Sequence, residues 1–262
     1  METTTTAIQD TEPFLCGALV GDGVRRFDDG IVNWYLIEDD AGLTVVDCGF
    51  PAGWSMLMTA LGTMGRRLAD VRAVIITHGH IDHIGFAERA RQEAGATVYV
   101  HEGDVPLLKS PLNIARSQRN PLMYLNHSAT RKVMARAMST GAPFAKRVQE
   151  YTTFEDGEVL AQVPGRPSVV HTPGHTDGHT AFHLQERDIV FAGDAVVTRD
   201  PYTGQVGPRI PARAATNDSG QALRSLDRLA ATDASLVLTG HGEPWREGAE
   251  EAARLARAAG AP

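Results

Sequence analysis

Short apolar runs rich in β-branched residues recur along the chain and predict β-strands. They occupy seven ranges: 31–37, 43–46, 71–76, 97–100, 168–170, 189–192 and 236–238. Stretches with a helical period lie between them, at 54–61, 85–94, 221–231 and 248–259. The first strands form a meander, and the later ones alternate with helices only in part. This pattern predicts an α+β fold of two mixed sheets packed together with helices outside, and a doubly wound α/β sheet is also compatible with it.

The segment 105–150 differs from the rest of the chain because it contains no convincing strand. Prolines at positions 106, 111, 121 and 143 divide it into short helices. It is rich in basic side chains: Lys109, Arg116, Arg119, Arg131, Lys132, Arg136, Lys146 and Arg147. Long insertions often cover functional sites, whereas charge runs are usually solvated faces. We therefore predict a helical insertion that is either a lid over a site or a helical pair covering a sheet face.

The composition is that of a soluble globular protein, with 262 residues, 42% hydrophobic and 22% charged. We expect a flexible polar tail at 1–13 and a single domain at 14–262. The net charge of −7 argues against a protein that binds nucleic acid through bulk charge. Cys16 and Cys48 are too few for a disulfide framework, and neither a signal peptide nor a membrane-length apolar run is present. We expect a cytoplasmic protein with reduced thiols and no membrane partner.

Potential metal ligands follow four of the predicted strands. The run HGHIDH comes one residue after the strand at 71–76 and places three imidazoles and one carboxylate within six residues. Such a cluster would be costly without a cation, whereas nitrogen and oxygen ligands of this kind suit zinc. The other three strands are followed by PGH, GD and GHG. Together they would bring seven potential ligands to one edge of the sheet core: His78, His80, Asp82, His83, His175, Asp194 and His241.

The motifs THGHIDHIG, TPGHTDGH, FAGDA and TGHG, preceded by VVDCG, resemble the ordered motifs of the metallo-β-lactamase superfamily. The resemblance covers the chain from about residue 43 to about residue 242. It implies a four-layer αβ/βα sandwich with a metal site along one edge. It also implies which residues hold metal: His78, His80 and His175 the first ion, Asp82, His83 and His241 the second, with Asp194 bridging them.

Two further residues would support the ligands without binding metal. Asp47 matches the acidic residue that the family places behind the site. His179 lies four residues after His175, and we expect it to make a hydrogen bond that supports the ligand loop. The residues that contact substrate are not identified by the motifs; Tyr202 and His127 are candidates.

The chemistry implied by the resemblance is hydrolysis with two metal ions. Zinc is the first choice, and iron or manganese would accept similar ligands. Two close cations would lower the pKa of a bridging water and make hydroxide available near neutral pH. Asp82 could orient this nucleophile and carry a proton to the leaving group. We expect cleavage of a carboxylic ester, lactone or thioester of a small molecule, as in glyoxalase II-like and lactonase-like members, with a homodimer as the default assembly.

Several other activities share these motifs. Persulfide dioxygenases hold a single iron through two His and one Asp. Classical β-lactamases of the family usually place a Cys ligand where this chain has Asp194. A biosynthetic-pathway role such as cyclisation uses the same fold, and related nucleases share the H-x-H-x-D-H core, although the acidic charge argues against nucleic acid.

Two departures from the hydrolytic relatives affect the substrate. Acyl-homoserine lactonases carry a Tyr three residues after the bridging Asp, where this chain has Val197, so Tyr202 would have to substitute. Glyoxalase II has a C-terminal helical domain, whereas this chain continues for about twenty residues after His241. We therefore expect neither of these two activities in its usual form.

Overall fold

The computed structural model describes residues 17–110 and 117–261, which form two mixed sheets and a short ribbon. The larger sheet has seven strands in sequence order: β1 (Ala18–Gly21), β2 (Val24–Asp28), β3 (Asn33–Asp39), β4 (Gly42–Val46), β5 (Val71–Ile75), β6 (Thr97–His101) and β7 (Thr152–Phe154). Strands β1 to β4 pair antiparallel, and β4 to β7 pair parallel. The smaller sheet contains β8 (Ser168–His171), β9 (Thr180–Leu184), β10 (Ile189–Gly193) and β13 (Leu236–Thr239) in the order β13–β10–β9–β8. The ribbon pairs β11 (Val197–Arg199) with β12 (Val206–Arg209).

Helices cover the outer faces of the two sheets. The α-helices of the described ranges are α1 (Gly53–Thr63), α2 (Ala87–Ala94), α3 (Val105–Lys109), α4 (Ser128–Ser139), α5 (Ser219–Ala230) and α6 (Ala249–Ala259), of which α1, α2, α5 and α6 cover the sheets. Apolar side chains of α1 and α2 pack with the larger sheet, and those of α5 and α6 pack with the smaller sheet. The layers therefore follow the order helix, sheet, sheet, helix.

The alternation of side chains along each strand builds these layers. Tyr35 and Ile37 of β3 point between the sheets, where they pack in one cluster with Phe191 of β10. Leu36 points to the opposite face and packs in the cluster that contains Leu57 of α1. Because successive strand residues face opposite sides, one apolar strand can supply two cores at once.

The predicted fold class is confirmed, because two mixed sheets are flanked by helices. Each predicted strand and helix overlaps an observed one, with ends that differ by one or two residues. The antiparallel first half of the larger sheet excludes the doubly wound alternative. The seven predicted ranges do not include β1, β2, β7, β9 or the ribbon. In β2, the side chain of Arg26 interrupts the apolar run, yet it is buried because it pairs with Asp28 and Glu243.

The insertion has no strand in its described parts, 105–110 and 117–150. It contains α3, a 3₁₀ turn at Pro121–Tyr124 and α4. The Thr130 hydroxyl on α4 donates to the Tyr202 carbonyl oxygen over 2.8 Å, which ties the insertion to the loop after β11. The predicted positions Pro111 and Arg116 lie outside the described residues.

The expectations for the N-terminal tail, the two cysteines and membrane spans can be compared with the described residues only in part. The tail 1–13 and Cys16 lie outside them. Cys48 is a buried free thiol. Among the described helices, none combines the length and the apolar character that crossing a membrane requires.

Candidate metal centre

The seven predicted ligands meet at one edge of the sheets, at the carboxyl ends of β5, β8, β10 and β13. In the described part of the chain, three groups have ligand atoms within 4.8 Å of one another: His78 with His80 and His175, His78 with His83 and Asp194, and Asp82 with His83 and His241. We call His78, His80 and His175 the first triad, and Asp82, His83 and His241 the second triad. Asp194 lies between them.

Three ring nitrogens converge in the first triad. His175 Nε2 lies 3.2 Å from His78 Nε2 and 3.0 Å from His80 Nδ1. Burial, reinforced by the neighbouring imidazoles, holds the pKa of His78 well below its usual range, so the ring is neutral. A tetrahedral zinc with Zn–N bonds of about 2.0–2.1 Å would place its nitrogens about 3.3 Å apart. The spacing of this triad therefore fits a divalent metal.

The second triad is joined to the first by Asp194. His241 Nε2 lies 3.5 Å from Asp82 Oδ2 and 3.3 Å from Asp194 Oδ2. The same Asp194 oxygen lies 3.4 Å from His175 Nε2 of the first triad. His83 Nε2 and Asp194 Oδ1 are buried without a hydrogen-bond partner among the described residues. Because an unpartnered buried polar atom is costly, these two atoms also fit a bound cation.

Asp47 stands behind the second triad and orients His83. Its carboxylate accepts hydrogen bonds from the Thr77 amide and hydroxyl, each over 2.8 Å, and from His83 Nδ1 over 2.9 Å. With Nδ1 as the donor, His83 Nε2 presents its lone pair to the centre. Asp47 itself adopts a left-handed backbone with φ 58°, which places its side chain under the ligand loop.

The imidazole rings of His241 and His179 are also held by hydrogen bonds. His241 Nδ1 donates to the Ile31 carbonyl over 2.6 Å, which turns Nε2 toward the ligands. His179 Nε2 accepts the Asp194 amide over 2.9 Å, so this nitrogen is occupied, and His179 Nδ1 contacts the Thr172 hydroxyl. Burial lowers the pKa of His179 to about 3, in keeping with a neutral ring.

Two residues near the ligands were missed by the sequence analysis. Asp104 is fully buried and accepts hydrogen bonds from both loops of the first triad. Asn33 Nδ2 donates to the carbonyl oxygens of Thr239 and Gly242, on either side of His241, over 2.8 and 2.7 Å. The position of Asp104, four residues after the predicted strand at 97–100, which neighbours β5, was the signal that could have found it.

A cavity of about 70 Å³ opens beside the ligands. Its wall combines ligands with mainly apolar side chains: His80, Ile81, Asp82, Ser117, Val133, Asp194, Pro201, Tyr202, Ala214, Ala215 and His241. Tyr202, one of the two candidates for substrate contact, is part of this wall. The other candidate, His127, precedes α4 with its ring 6.0 Å from that of Tyr124 and does not line the described wall.

The match to known sequences spans all of these ligands. A family model described as the metallo-beta-lactamase superfamily matches residues 27–241. The chain belongs to this superfamily. Among its relatives, the uncharacterised Mycobacterium tuberculosis protein Rv2581c is 32% identical over 242 residues, 87% of this chain and 94% of that protein. The probable metallo-hydrolase YflN of Bacillus subtilis is 26% identical and covers 85% of this chain and 84% of its own length.

Solved structures agree with the superfamily fold. The metallo-beta-lactamase family protein TTHA1429 of Thermus thermophilus has a TM-score of 0.68 and 28% identity, covering 90% of this chain and 79% of its own. TTHA1623, solved in a di-iron-bound form, has a TM-score of 0.62 and 25% identity, covering 89% of this chain and 97% of its own. The chain thus has the metallo-hydrolase fold of this superfamily and its cluster of metal-binding His and Asp side chains.

Gly240 permits the close approach of β13 to the metallo-hydrolase centre, and its substitution tests that packing. A Cβ atom at this position would overlap Asp194 Oδ1 and lie 2.8 Å from His83 Cε1. We expect Gly240→Ala to weaken metal binding by about 100-fold, the upper range for disturbing a ligand's support. The control is Gly62→Ala in α1, where a Cβ meets nothing within 4 Å and should add about 0.5–1 kcal/mol of stability. Unchanged metal affinity in Gly240→Ala would show that β13 can shift without cost.

The two triads should differ in how metal binding depends on pH. Burial lowers the pKa of His241, but the charge and hydrogen bond of Asp194 and the charge of Asp82 outweigh it and raise the pKa to about 10. The ring is therefore protonated at neutral pH in the metal-free protein and must lose a proton to bind metal.

Burial lowers the pKa of His83 too, but the charges of Asp47, Asp82 and Asp194 outweigh it and raise that pKa. Zinc uptake at the second triad should thus release at least one proton, and its affinity should fall at least about tenfold per unit of pH below 10. The first triad should release almost none near neutral pH, since the pKa values of His78 and His175 are well below 6.5. Calorimetric titration in buffers of different ionisation enthalpy measures both steps. Equal proton release in the two steps would contradict these protonation states of the two triads.

Proposed function

We propose that this protein is a dinuclear metal-dependent hydrolase that cleaves a carboxylic ester, lactone or thioester of a small molecule. The position of Asp194 carries the proposal. One of its carboxylate oxygens lies 3.4 Å from a nitrogen of the first triad and 3.3 Å from a nitrogen of the second. A single carboxylate oxygen within reach of both triads is suited to bridging two cations.

In this proposal the first triad would hold one ion, the second triad would hold the other, and Asp194 would serve both. The ions, when bound, supply Lewis-acid polarisation of the substrate carbonyl and lower the pKa of a bound water. Zinc suits a set of imidazole and carboxylate ligands, and the di-iron form of TTHA1623 makes iron the second metal to test.

Asp82 is the proposed proton carrier. Unlike the buried His83 and Asp194, it is partly exposed, and it lines the cavity in which a substrate would lie. A carboxylate at this place can accept a proton from an attacking water and pass it to the leaving oxygen, nitrogen or sulfur. The Nε2 atom of the neighbouring His241 lies 3.5 Å from Asp82 Oδ2.

The cavity wall supports a small and mainly uncharged acyl group as substrate. Ile81, Val133 and Pro201 provide an apolar surface, and Tyr202 adds a hydroxyl. Burial and the charge of Asp82 raise the pKa of Tyr202 above its usual range, so this hydroxyl stays a hydrogen-bond donor. Val133 belongs to the insertion, which supports the proposal that the insertion acts as a lid over the site.

Assays of the zinc-loaded protein against an ester, a lactone, a thioester and a β-lactam test the proposal. We expect turnover of at least one of the first three, lost in His80→Ala, and little turnover of the β-lactam. Zinc-loaded protein that hydrolyses none of them, together with oxygen uptake by the iron-loaded protein in the presence of a persulfide, would replace hydrolysis by dioxygenation.

A further inference from the structure

Asp104 is a buried carboxylate that joins the two loops of the first triad. It lies three residues after β6 and is fully buried. Its Oδ2 atom accepts hydrogen bonds from the Gly79 amide and the Thr176 hydroxyl, each over 2.7 Å, and Oδ1 accepts from the Gly178 amide over 2.8 Å. Three donors thus converge on one carboxylate from two different loops.

The donors stand next to the ligands of the first triad. Gly79 lies between His78 and His80, and Thr176 directly follows His175. One side chain therefore fixes the relative position of the two backbone segments that carry all three imidazoles. None of its hydrogen bonds reaches a residue of the second triad.

The contact is close because small residues line it. A Cβ atom at Gly178 would lie 2.5 Å from the Asp104 amide nitrogen and 2.8 Å from its Oδ1 atom. A Cβ atom at Gly103 would lie 2.8 Å from the Gly178 amide nitrogen. The backbones of the two segments can approach to this distance only because both positions are glycine.

We infer that Asp104 is the positioning residue of the first triad, as Asp47 is of the second. Asp47 bonds directly to a ligand ring, whereas Asp104 acts on the backbone beside three ligands. The two buried carboxylates therefore support different ligands: Asp104 holds the loop of His175 against the segment 78–80, and Asp47 holds the ring of His83 and the Thr77 backbone. This inference rests on the proposed dinuclear function.

An asparagine at position 104 cannot satisfy the same donors. An amide has one acceptor oxygen, so its NH₂ group would face the amide of Gly178 or of Gly79, or the hydroxyl of Thr176. One donor would lose its partner, and the negative charge behind the imidazoles would be removed. The loop of His175 should then move away from the segment 78–80, while the bond from Asp47 still holds the His83 ring.

Titration of the metal-free protein with Co²⁺, followed by absorption spectroscopy, tests the inference. In the native protein we expect two binding steps, assigned by comparison with His80→Ala, which retains the second triad, and His241→Ala, which retains the first. Asp104→Asn should weaken the first-triad step by about 10–100-fold and leave the other within about threefold. Asp47→Asn should weaken the second-triad step more than the first, because Asp47 bonds directly to the ring of His83.

A milder pair of variants tests the inference even if Asp104→Asn does not fold. Thr176→Val deletes one of the three donors and should weaken the first-triad step by about 3–10-fold, an effect on the scale of one ordinary hydrogen bond. Thr176→Ser keeps the hydroxyl and should restore it.

Equal weakening of both steps by Asp104→Asn and Thr176→Val, or no change in either, would overturn the inference. A native protein with a single binding step would instead contradict the dinuclear function. The two failures are therefore distinguishable in one experiment.

Discussion

Replacing Asp194 by asparagine is expected to lower kcat by about 10³-fold and to reduce bound metal from about two ions per chain to one or fewer. Burial alone would raise the pKa of this carboxyl, but the imidazoles of His241 and His83 outweigh burial and hold it well below the usual range. The carboxylate is therefore ionised and close to both triads. Its loss removes several kcal/mol of electrostatic stabilisation, and each 1.36 kcal/mol corresponds to about tenfold in rate.

The matched control is Asp39→Asn. Asp39 is the last residue of β3, at the end of the strand opposite Asn33, and its carboxylate pairs with Arg187. This variant should leave kcat and metal content unchanged. Metal content is measured by mass spectrometry and kcat with the best substrate of the panel. Full metal content and near-native kcat in Asp194→Asn would show that this residue does not join the two metal positions.

Replacing Asp82 by asparagine should lower kcat by about 10³-fold, within the range of about 10²–10⁴-fold for a positioned general acid or base. Asparagine keeps the size of the side chain and a coordinating oxygen but cannot carry the proton. The first triad is untouched, so the variant should keep at least one metal per chain.

The dependence on leaving group separates proton transfer from metal binding at Asp82. If the Asp82 carboxyl donates the proton to the leaving group, Asp82→Asn should lose most kcat on esters with an alkyl alcohol. It should lose least on esters with an acidic phenol or thiol. The native enzyme assayed on the same series is the reference. An equal loss for every leaving group would restrict Asp82 to holding metal.

The strand pattern and the residue types located most of the centre, because strand ends are positions that sequence can identify. The predicted strand at 71–76 places HGHIDH at a strand end, and three other predicted strands place His175, Asp194 and His241 at theirs. Parallel and mixed sheets place such ends at a common edge, so linear spacing translated into proximity. The chemistry of the ligands completed the prediction, because a group of imidazoles is costly to bury unless a cation binds it.

Two of the supporting residues, Asp104 and Asn33, were not found in this way, unlike Asp47 and His179. Both act by hydrogen bonds to backbone groups of loops distant in sequence. The place of Asp104 after a strand end is a signal for that residue, but no residue type or spacing identifies its partners. Strand β2 was hidden for a similar reason, because the burial of Arg26 depends on Glu243, more than two hundred residues away. The cavity wall also required the fold, since Val133 and Tyr202 come from separate segments.

The most direct test of the central claim is the metal content of the native protein, purified without chelator or added metal and measured by mass spectrometry beside His80→Ala. We predict about two divalent ions per chain, zinc first among them, and at most about one in His80→Ala. Folded protein that contains no metal, and binds none when zinc is added, would contradict the claim.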